Sequence, residues 1–549
     1  MHRGCFPILL AAVLLAAPAA AGTAAASSAP SALSVGVVGE IGSLNPILAS
    51  GSAALDILGA TSDGLLRYAP VQGASAPAYA WQPDLLSSMP TVSVVGPDGK
   101  KAQVTITYRL RPGLRWSDGV PLTSADIRFT WQAIMEPASG AYQAGYNQIT
   151  SIATPDAQTA VVHMQGTFAA WQTLFSALLP YHALHGRLGG IAADAQYSAH
   201  PLATGPFAVQ SFTGDTVELA ANPFYAGQDG PRPTLQQLDV TFYPSQPALL
   251  AALRSHQVAV ADLLALGQSD LQSLTSAGLS VASTPATDFE QFTFNLRDPT
   301  AQDFAVRKAF YLALDRSAIV AALSGGRWTV ATSDQPPWSW AFNPKVPVVS
   351  QDVAQAKSLL AEDGWTMGAD GYFGRAGQEL SLSVWLTRTP LHIALLQMVQ
   401  QQEARAGIDV LPVYSSAQAL FGPQGALAQG TYQVAEFTLM DALDPDDSAI
   451  WNSNLGDPSH LGSDFSGYRS SSVNLWTAAA LRSMDTSVRA ADYGKVQLQL
   501  YEDLPMVPLF YTSLDTAYDP TVVQGLQQSA YLGVLWSANS WTAPAPTQP

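Results

Sequence analysis

The hydrophobic pattern is clearest between residues 104 and 135. Residues 104–110 alternate apolar with polar side chains, which is the two-residue period of a half-buried strand. The turn dipeptides Pro112-Gly113 and Asp118-Gly119 follow. Residues 123–126, Thr-Ser-Ala-Asp, then have the spacing of a capping box, and apolar residues recur after them on one helical face. The pattern predicts a strand, two turns and a helix in that order.

Strand and helix patterns alternate along the rest of the chain. Further strands are predicted at 33–38, within 204–243 and at 509–511. Helices are predicted at 302–323, 352–363 and 392–406, and as one or two helices within 472–504. No repeat of fixed period interrupts this order, which argues against a solenoid or propeller. The alternation indicates a mixed α/β fold.

Length and charge limit the function classes. A chain of 549 residues is long for one domain and fits two or three lobes around shared cores. Lys and Arg number 25 against 42 Asp and Glu, so the formal net charge is −17. An acidic surface repels nucleic acid and anionic lipid, and neither is expected as a partner.

The first residues have the composition of a secretory signal. His2 and Arg3 precede an apolar stretch at 8–17, and the small residues 19–21 supply a cleavage site. We therefore expect a Sec-type signal peptide at 1–21, a flexible leader at 22–32 and a periplasmic or extracellular mature protein. Cys5, the single cysteine, precedes the apolar stretch, whereas a lipoprotein cysteine would follow it. The mature chain is then not a lipoprotein and has no thiol for a disulfide, a zinc-thiolate site or a nucleophile.

Short motifs spread along the chain carry a family resemblance. They are Leu44-Asn45-Pro46, Asp63-Gly64-Leu65-Leu66, the signature at 108–131, Thr204-Gly205-Pro206-Phe207, Asn222-Pro223-Phe224-Tyr225, Phe294-Asn295-Leu296, Leu314-Asp315-Arg316 and Leu504-Pro505-Met506-Val507-Pro508-Leu509. In this order and spacing they resemble the family 5 extracellular solute-binding proteins. Members of that family are the oligopeptide, dipeptide and nickel receptors of ABC importers.

The resemblance implies a periplasmic-binding-protein type II fold, in which two hinged lobes are joined by an extra third domain. Lobe I would comprise residues 33–62, 203–294 and 509–549. Lobe II, the extra domain, would be 63–202, and lobe III would be 295–508. The hinge segments would lie near Phe294-Asn295 and Pro508-Leu509. Lobes I and III would then close over a ligand.

The implied function is capture of peptides or peptide-like solutes outside the cytoplasmic membrane and their delivery to permease subunits. We expect such a protein to be a monomer, not an enzyme, and to need no cofactor. It would contact the membrane only through the permease. Two alternatives stay open. The same fold could bind a nickel chelate, a haem-like solute or an oligosaccharide, and a secreted hydrolase is the alternative of a different class.

Asp441 is the main candidate for contact with the ligand. In peptide-binding members that the chain resembles, a buried carboxylate pairs with the ligand α-ammonium within a segment Trp-x-x-Asp-x-x-Asp/Glu-Pro. That segment is 438–445 here, with Thr438 at the tryptophan position. A desolvated ammonium needs an opposite charge and hydrogen-bond acceptors. The alternative is an ordinary loop aspartate, and the missing tryptophan leaves the shape of the pocket open.

Three further residues are candidates by the same resemblance. Arg388 would hold a ligand carboxylate, for which a guanidinium fork is suited. Ser52 stands where family members offer backbone groups to an extended peptide. Tyr468 would line the cleft, although tyrosines of this kind are often core residues. The alternatives for Arg388 and Ser52 are a solvated arginine and a flexible loop.

No catalytic or metal-binding motif stands out. The phosphate loop, the Gly-x-Ser-x-Gly elbow and the His-Glu-x-x-His pair are all missing from the sequence. His182 and His185 are one helical turn apart, but no further ligand accompanies them, so we expect no metal there. Neither a catalytic residue nor a metal ligand is predicted.

Overall fold

A computed structural model describes residues 32–544, apart from 72, 75–76, 97–98, 228–229, 441 and 455–463. The expected signal peptide at 1–21 therefore lies outside the described residues, and so does Asp441. In the part of the chain that is described, none of the helices combines the length and the apolar character needed to cross a membrane.

The strands lie in one large sheet and three small ones. They are β1 (Ala32–Val38), β2 (Leu66–Pro70), β3 (Tyr79–Pro83), β4 (Thr91–Val95), β5 (Gln103–Arg109), β6 (Ile149–Ala153), β7 (Thr159–Gln165), β8 (Phe207–Phe212), β9 (Thr216–Ala221), β10 (Gln237–Tyr243), β11 (Val260–Leu264), β12 (Ser280–Phe294), β13 (Thr329–Val330), β14 (Thr366–Met367), β15 (Phe373–Arg375), β16 (Gln378–Glu379), β17 (Ser381–Thr387), β18 (Asp409–Ser415), β19 (Val434–Met440) and β20 (Met506–Tyr518).

Helices connect these strands. They are α1 (Ser52–Thr61), α2 (Ser124–Met135), α3 (Tyr181–Leu184), α4 (Ala195–Ala199), α5 (Gln246–Arg254), α6 (Gln268–Ser276), α7 (Phe304–Ala313), α8 (Arg316–Ser324), α9 (Val353–Glu362), α10 (Pro390–Ala406), α11 (Ala417–Phe421), α12 (Ala426–Gln429), α13 (Ser448–Trp451), α14 (Ser471–Ala480) and α15 (Thr486–Asp503). Short 3-10 turns occur at Tyr146–Gln148, Trp171–Thr173, His185–Ala193 and Val534–Ser540. The prediction of a mixed α/β fold is confirmed.

The strand, turns and helix predicted from the signature segment are β5 and α2. The turn glycines Gly113 and Gly119 have φ of 82° and 87°, which glycine adopts without steric cost. At the start of α2, the Asp126 carboxylate accepts a hydrogen bond of 2.7 Å from the backbone N–H of Thr123. This bond satisfies a donor that the helix itself leaves unpaired, so Asp serves in place of the usual Glu of the capping box.

The helix predicted at 302–323 is in fact two helices. The chain leaves the helical conformation at Leu314, whose φ and ψ are −83° and 124°. Asp315 then caps α8, because its carboxylate accepts the N–H of Ala318 at 2.9 Å. Its own N–H donates to the Gln402 side chain at 2.6 Å. The hydrophobic period continues across the break, which is why the pattern alone predicted one helix.

The large sheet connects the two sides of the molecule. Its strand order is β18-β17-β19-β12-β20-β11-β1-β10-β9-β8, with β13 also pairing with β20. The long strands β12 and β20 pair with each other, and their register shifts between Pro285 and Phe289. On one side of that shift β20 pairs with β11, and on the other side β12 pairs with β19.

The register shift lies several residues before the predicted crossing at Phe294-Asn295. Residues 288–294, which were expected in lobe I, pair with β19 of lobe III. The bounds of the lobes therefore stay a prediction. Separate hydrophobic cores nevertheless lie mainly in each lobe, around Val240 and Trp541, around Tyr108 and Trp116, and around Phe310 and Leu382. Bodies with their own cores can move relative to one another about such strands.

Glu403 is a buried acid without a partner in the lobe III core. It lies on α10 with 0% of its surface exposed, and neither carboxylate oxygen has a hydrogen-bond partner among the described residues. Burial raises the pKa of Glu403 well above its usual value. Because the folded state holds this proton more tightly than the unfolded state does, the free energy of unfolding is highest below the unfolded-state pKa and falls as pH rises toward the folded-state pKa.

Replacing Glu403 with methionine is therefore expected to stabilise the protein most at high pH. We expect the free energy of unfolding to rise by about 1–3 kcal/mol at pH 8 and by less at pH 5, because no buried acid remains to be desolvated or kept protonated. Urea denaturation at both pH values measures this difference. Glu502→Met, at an exposed position of α15, is the control and should change little. A loss of stability at pH 8 would contradict the expectation.

Candidate ligand-binding site

Parallel strands of lobe III end together at one edge of the large sheet. Strand β17 pairs in parallel with both β18 and β19. In open α/β sheets, ligands bind beside the carboxyl ends of such strands. Arg388 is the first residue after β17, and Asp441 is the first after β19. Two of the four candidate residues thus directly follow, in sequence, strands that are neighbours in the sheet.

The Arg388 side chain is exposed and has no ion-pair partner among the described residues. Its guanidinium carbon lies 5.6 Å from the centre of the Tyr414 ring on β18. A cation at that distance from an aromatic face is weakly attracted to it, which orients the guanidinium without neutralising it. No described residue therefore neutralises the charge of Arg388.

One face of the sheet carries the acids Asp288, Glu290 and Glu436, and we call it the acidic face. It extends from the strand ends into lobe III. Asp288, Glu290 and Phe292 on β12 pair with Met440, Thr438 and Glu436 on β19. Paired residues share a face of the sheet. Exposure falls along β19 from 78% at Met440 to 0% at Glu436. Burial and, next, the charge of Glu290 raise the pKa of Asp288 to about 6.

Thr438, which replaces the tryptophan of the family segment, has a specific partner. Its hydroxyl donates to Oε1 of Glu290 at 2.7 Å. The indole of a tryptophan at this position would have no hydroxyl to donate to Glu290. Threonine in place of tryptophan therefore provides a hydrogen-bond donor for a buried acid on the adjacent strand. The surface that precedes Asp441 is therefore small and acidic rather than aromatic.

The segment after Asp441 is anchored by Arg489 of α15. Two guanidinium nitrogens of Arg489 bond the Asp444 carboxylate at 2.5 and 2.6 Å, and Arg489 is only 2% exposed. A third contact, at 3.0 Å, runs from Arg489 to the carbonyl oxygen of Ala169 in lobe II. A second bond between these lobes joins the Thr167 hydroxyl to the carbonyl oxygen of Arg482 at 2.7 Å. Asp444 is thus tied both to lobe III and, through Arg489, to lobe II.

The other two candidates are placed differently. Ser52 is the exposed first residue of α1, after Gly51 with φ of 84°. Its backbone therefore belongs to a helix start, where N–H groups lack helical acceptors, rather than to a flexible loop. Tyr468 is buried beside Trp451 at a ring-centre distance of 6.5 Å, and its hydroxyl donates to Asp503 at 2.5 Å. The surroundings of Tyr468 are those of a core residue.

Sequence reasoning missed Arg489 and the buried acids of β12 and β19. Asp444 and Arg489 are 45 residues apart, and no local spacing connects them. One signal was present, because Arg489 shares the helical spacing of the buried residues Tyr493, Val496 and Leu500. A charge within such an apolar stripe indicates a buried ionic partner elsewhere.

Comparison with known proteins gives a family match over most of the chain. The model for bacterial extracellular solute-binding proteins, family 5 middle, matches residues 81–460. A Brucella ovis protein, provisionally named an ABC transporter peptide-binding protein, is 29% identical over 321 residues. This match covers 56% of the chain and 57% of that relative, so the chain spans little more than half of the relative's length.

Two solved structures resemble the whole fold. NikZ from Campylobacter jejuni in complex with Ni(L-His) aligns with a TM-score of 0.72 at 20% identity, covering 93% of this chain and 99% of NikZ. The oligopeptide-binding protein AppA from Bacillus subtilis, in complex with a nonapeptide, aligns with a TM-score of 0.65 at 20% identity, covering 94% and 99%. These likenesses confirm the predicted periplasmic-binding-protein type II fold. Because the family model matches well over half of the sequence, the chain belongs to the bacterial extracellular solute-binding proteins of family 5.

Proposed function

We propose that this protein captures peptides or peptide-like solutes outside the cytoplasmic membrane and delivers them to the permease of an ABC importer. The observation that carries the proposal is the pair of long strands, β12 and β20, whose register shifts between separate cores. A ligand that touches both sides of such a hinge binds the closed state better and so shifts the population toward it. Membership of the family supports the importer, and the name of the Brucella relative supports a peptide ligand.

The proposed ligand contacts lie mainly at the strand ends of lobe III. Asp441 pairs with the ligand α-ammonium, and Arg388 binds a ligand carboxylate. Ser52 offers backbone groups from lobe I, and Tyr468 acts from the core by fixing the segment around it. None of these residues performs covalent chemistry, so the protein is a receptor and not an enzyme.

Export and assembly complete the proposal. Residues 1–21 act as a Sec-type signal peptide, and the mature protein is a monomer without a lipid anchor. Its contact with the membrane is through the permease alone, and the acidic charge of the chain, formally −17 over all 549 residues, keeps it from nucleic acid. These statements rest on the sequence and on the extracellular location that the family implies.

The test combines identification of the ligand with a measurement of shape. The protein is purified natively, its retained solute is identified by mass spectrometry, and the stripped protein is titrated with di- to pentapeptides by calorimetry. We expect one ligand per protein molecule and a smaller radius of gyration in solution scattering when ligand is bound. A solute that releases no heat is the control and should leave the scattering unchanged.

Other outcomes point to the alternatives. If the retained solute is a nickel chelate, a haem-like molecule or an oligosaccharide, the ligand is not a peptide, but capture by hinge closure still holds. Steady consumption of a substrate, without stoichiometric binding and without compaction, would instead identify a secreted hydrolase and contradict the receptor.

A further inference from the structure

Three buried side chains meet beneath the acidic face of lobe III. They are Glu290 on β12, Glu436 on β19 and His392 in the first turn of α10. One ligand atom of each lies within 4.8 Å of the ligand atoms of the other two. The residues come from three elements that are far apart in sequence, so only the fold brings them together.

Three of the four carboxylate oxygens in this cluster lack a hydrogen-bond partner among the described residues. Glu436 is 0% exposed, and neither of its oxygens has a hydrogen-bond partner among the residues that the structure describes. Oε2 of Glu290 is unpartnered in the same way. Burial, then the neighbouring carboxyl of Glu290, raises the pKa of Glu436. Two adjacent buried carboxyl groups with free oxygens require a positive charge between them, which is either a proton or a metal ion.

His392 is oriented by the end of β17. Its Nδ1 lies 3.0 Å from the carbonyl oxygen of Thr387, 2.9 Å from the Thr387 hydroxyl and 3.7 Å from Oε2 of Glu436. Because a carbonyl oxygen only accepts, Nδ1 carries the hydrogen, and the other nitrogen of a neutral ring has the free lone pair. Histidines that bind metals commonly donate to a backbone carbonyl in this way, which fixes the ring.

We propose that Glu290, Glu436 and His392 bind one divalent transition-metal ion of the zinc type. Imidazole nitrogen and carboxylate oxygen are donors that such ions accept together. Donors about 2.1 Å from one ion are at most about 4.2 Å apart, so binding requires the two carboxylates to approach each other and the His392 ring to present Nε2, rather than Nδ1, to the ion. The Thr438 hydroxyl, 2.7 Å from Oε1 of Glu290, holds that carboxylate from outside the site.

The proposed site lies on the face of the sheet that extends to the strand ends. Thr438 is exposed, and half-buried Asp288 lies on the same face of the sheet. The metal site is separate from capture of a peptide, so its test does not depend on the proposed function.

The experiment uses the full mature protein, stripped with EDTA and dialysed. Zn²⁺ is titrated by calorimetry, and Co²⁺ is added as a spectroscopic probe of the ligand set. We expect one ion per molecule and a Co²⁺ spectrum of low coordination number with nitrogen and oxygen ligands. His392→Gln and Glu436→Gln should each weaken Zn²⁺ binding by at least about 100-fold.

Glu403→Gln is the matched control, because Glu403 is an equally buried, unpartnered glutamate on the helix that carries His392. This variant should bind Zn²⁺ as the unaltered protein does. Absence of stoichiometric binding to the unaltered protein would overturn the proposal and leave a pair of carboxyls that share a proton. Equal binding by the His392 and Glu436 variants would also overturn it, since the ion would then sit elsewhere. Circular dichroism verifies folding, and the Co²⁺ spectrum of the unaltered protein decides the matter if either variant fails to fold.

Discussion

Asp444→Ala is expected to lower the free energy of unfolding by about 3–5 kcal/mol. The substitution removes both short hydrogen bonds to the guanidinium of Arg489, which is buried and cannot lose its charge at any ordinary pH. What remains are its bonds to the Tyr493 hydroxyl at 3.0 Å and to the carbonyl oxygen of Ala169. Neither group carries a charge, and the Asp446 carboxylate interacts with Arg489 only through space, so the buried cation loses its hydrogen-bonded counter-ion.

Denaturant unfolding of the two proteins at pH 7 measures this loss. Lys495→Ala is the control on the same helix, because its ammonium bonds Asp492 at 2.7 Å while half of the lysine side chain is exposed. An exposed ion pair of this kind is worth about 0–1 kcal/mol. If Asp444→Ala cost no more than the control, Arg489 would have found another partner and would not anchor the segment.

The Asp444 variant also tests the contact between the lobes. Arg489 joins the segment that follows Asp441 to the backbone of lobe II. Without Asp444, the arginine is no longer held in position to reach Ala169. We therefore expect hydrogen exchange to quicken both in the region around residue 444 and near residue 169, whereas a purely local effect would leave the second region unchanged.

The elements with a strong local signal were predictable from the sequence. The helix expected at 392–406 is α10, which ends at Gly407 with φ of 82°. The helix expected at 352–363 is α9, capped by Asp352 through the N–H of Gln355 at 2.8 Å. In both cases the hydrophobic period and the cap residues indicate the same helix, and tertiary packing preserves it.

The site was predictable only where a family motif marked it. Arg388 and Asp441 are predicted by resemblance alone, and they follow in sequence the strands β17 and β19, which pair in parallel. The pairing of Asp444 with Arg489 and the approach of His392 to Glu436 span 45 and 44 residues. Such contacts depend on how helices dock against the sheet, which no periodicity in one segment encodes.

Asp441→Ala is expected to weaken peptide binding by about 2–5 kcal/mol, which is about 30-fold to several thousand-fold in affinity. The expectation rests on the proposed pairing of Asp441 with the α-ammonium of the ligand, since loss of the carboxylate leaves that charge desolvated and unpaired. The residues on either side give the position its setting. Met440 is the exposed last residue of β19, and Asp444 is held in place by Arg489. Only residues 441–443 lie between them.

Calorimetry with the peptide retained by the native protein measures the loss, and the same peptide with an acetylated amino terminus provides a second arm. Acetylation should cost the unaltered protein about as much as the Asp441 substitution does, and should cost the variant little more, because both changes remove one interaction. Asp215→Asn, in the exposed turn between β8 and β9, removes a charge elsewhere and should leave affinity unchanged. If acetylation weakened binding equally in both proteins, the ammonium would have a different partner, and the acidic face at Asp288 would be the next position to test.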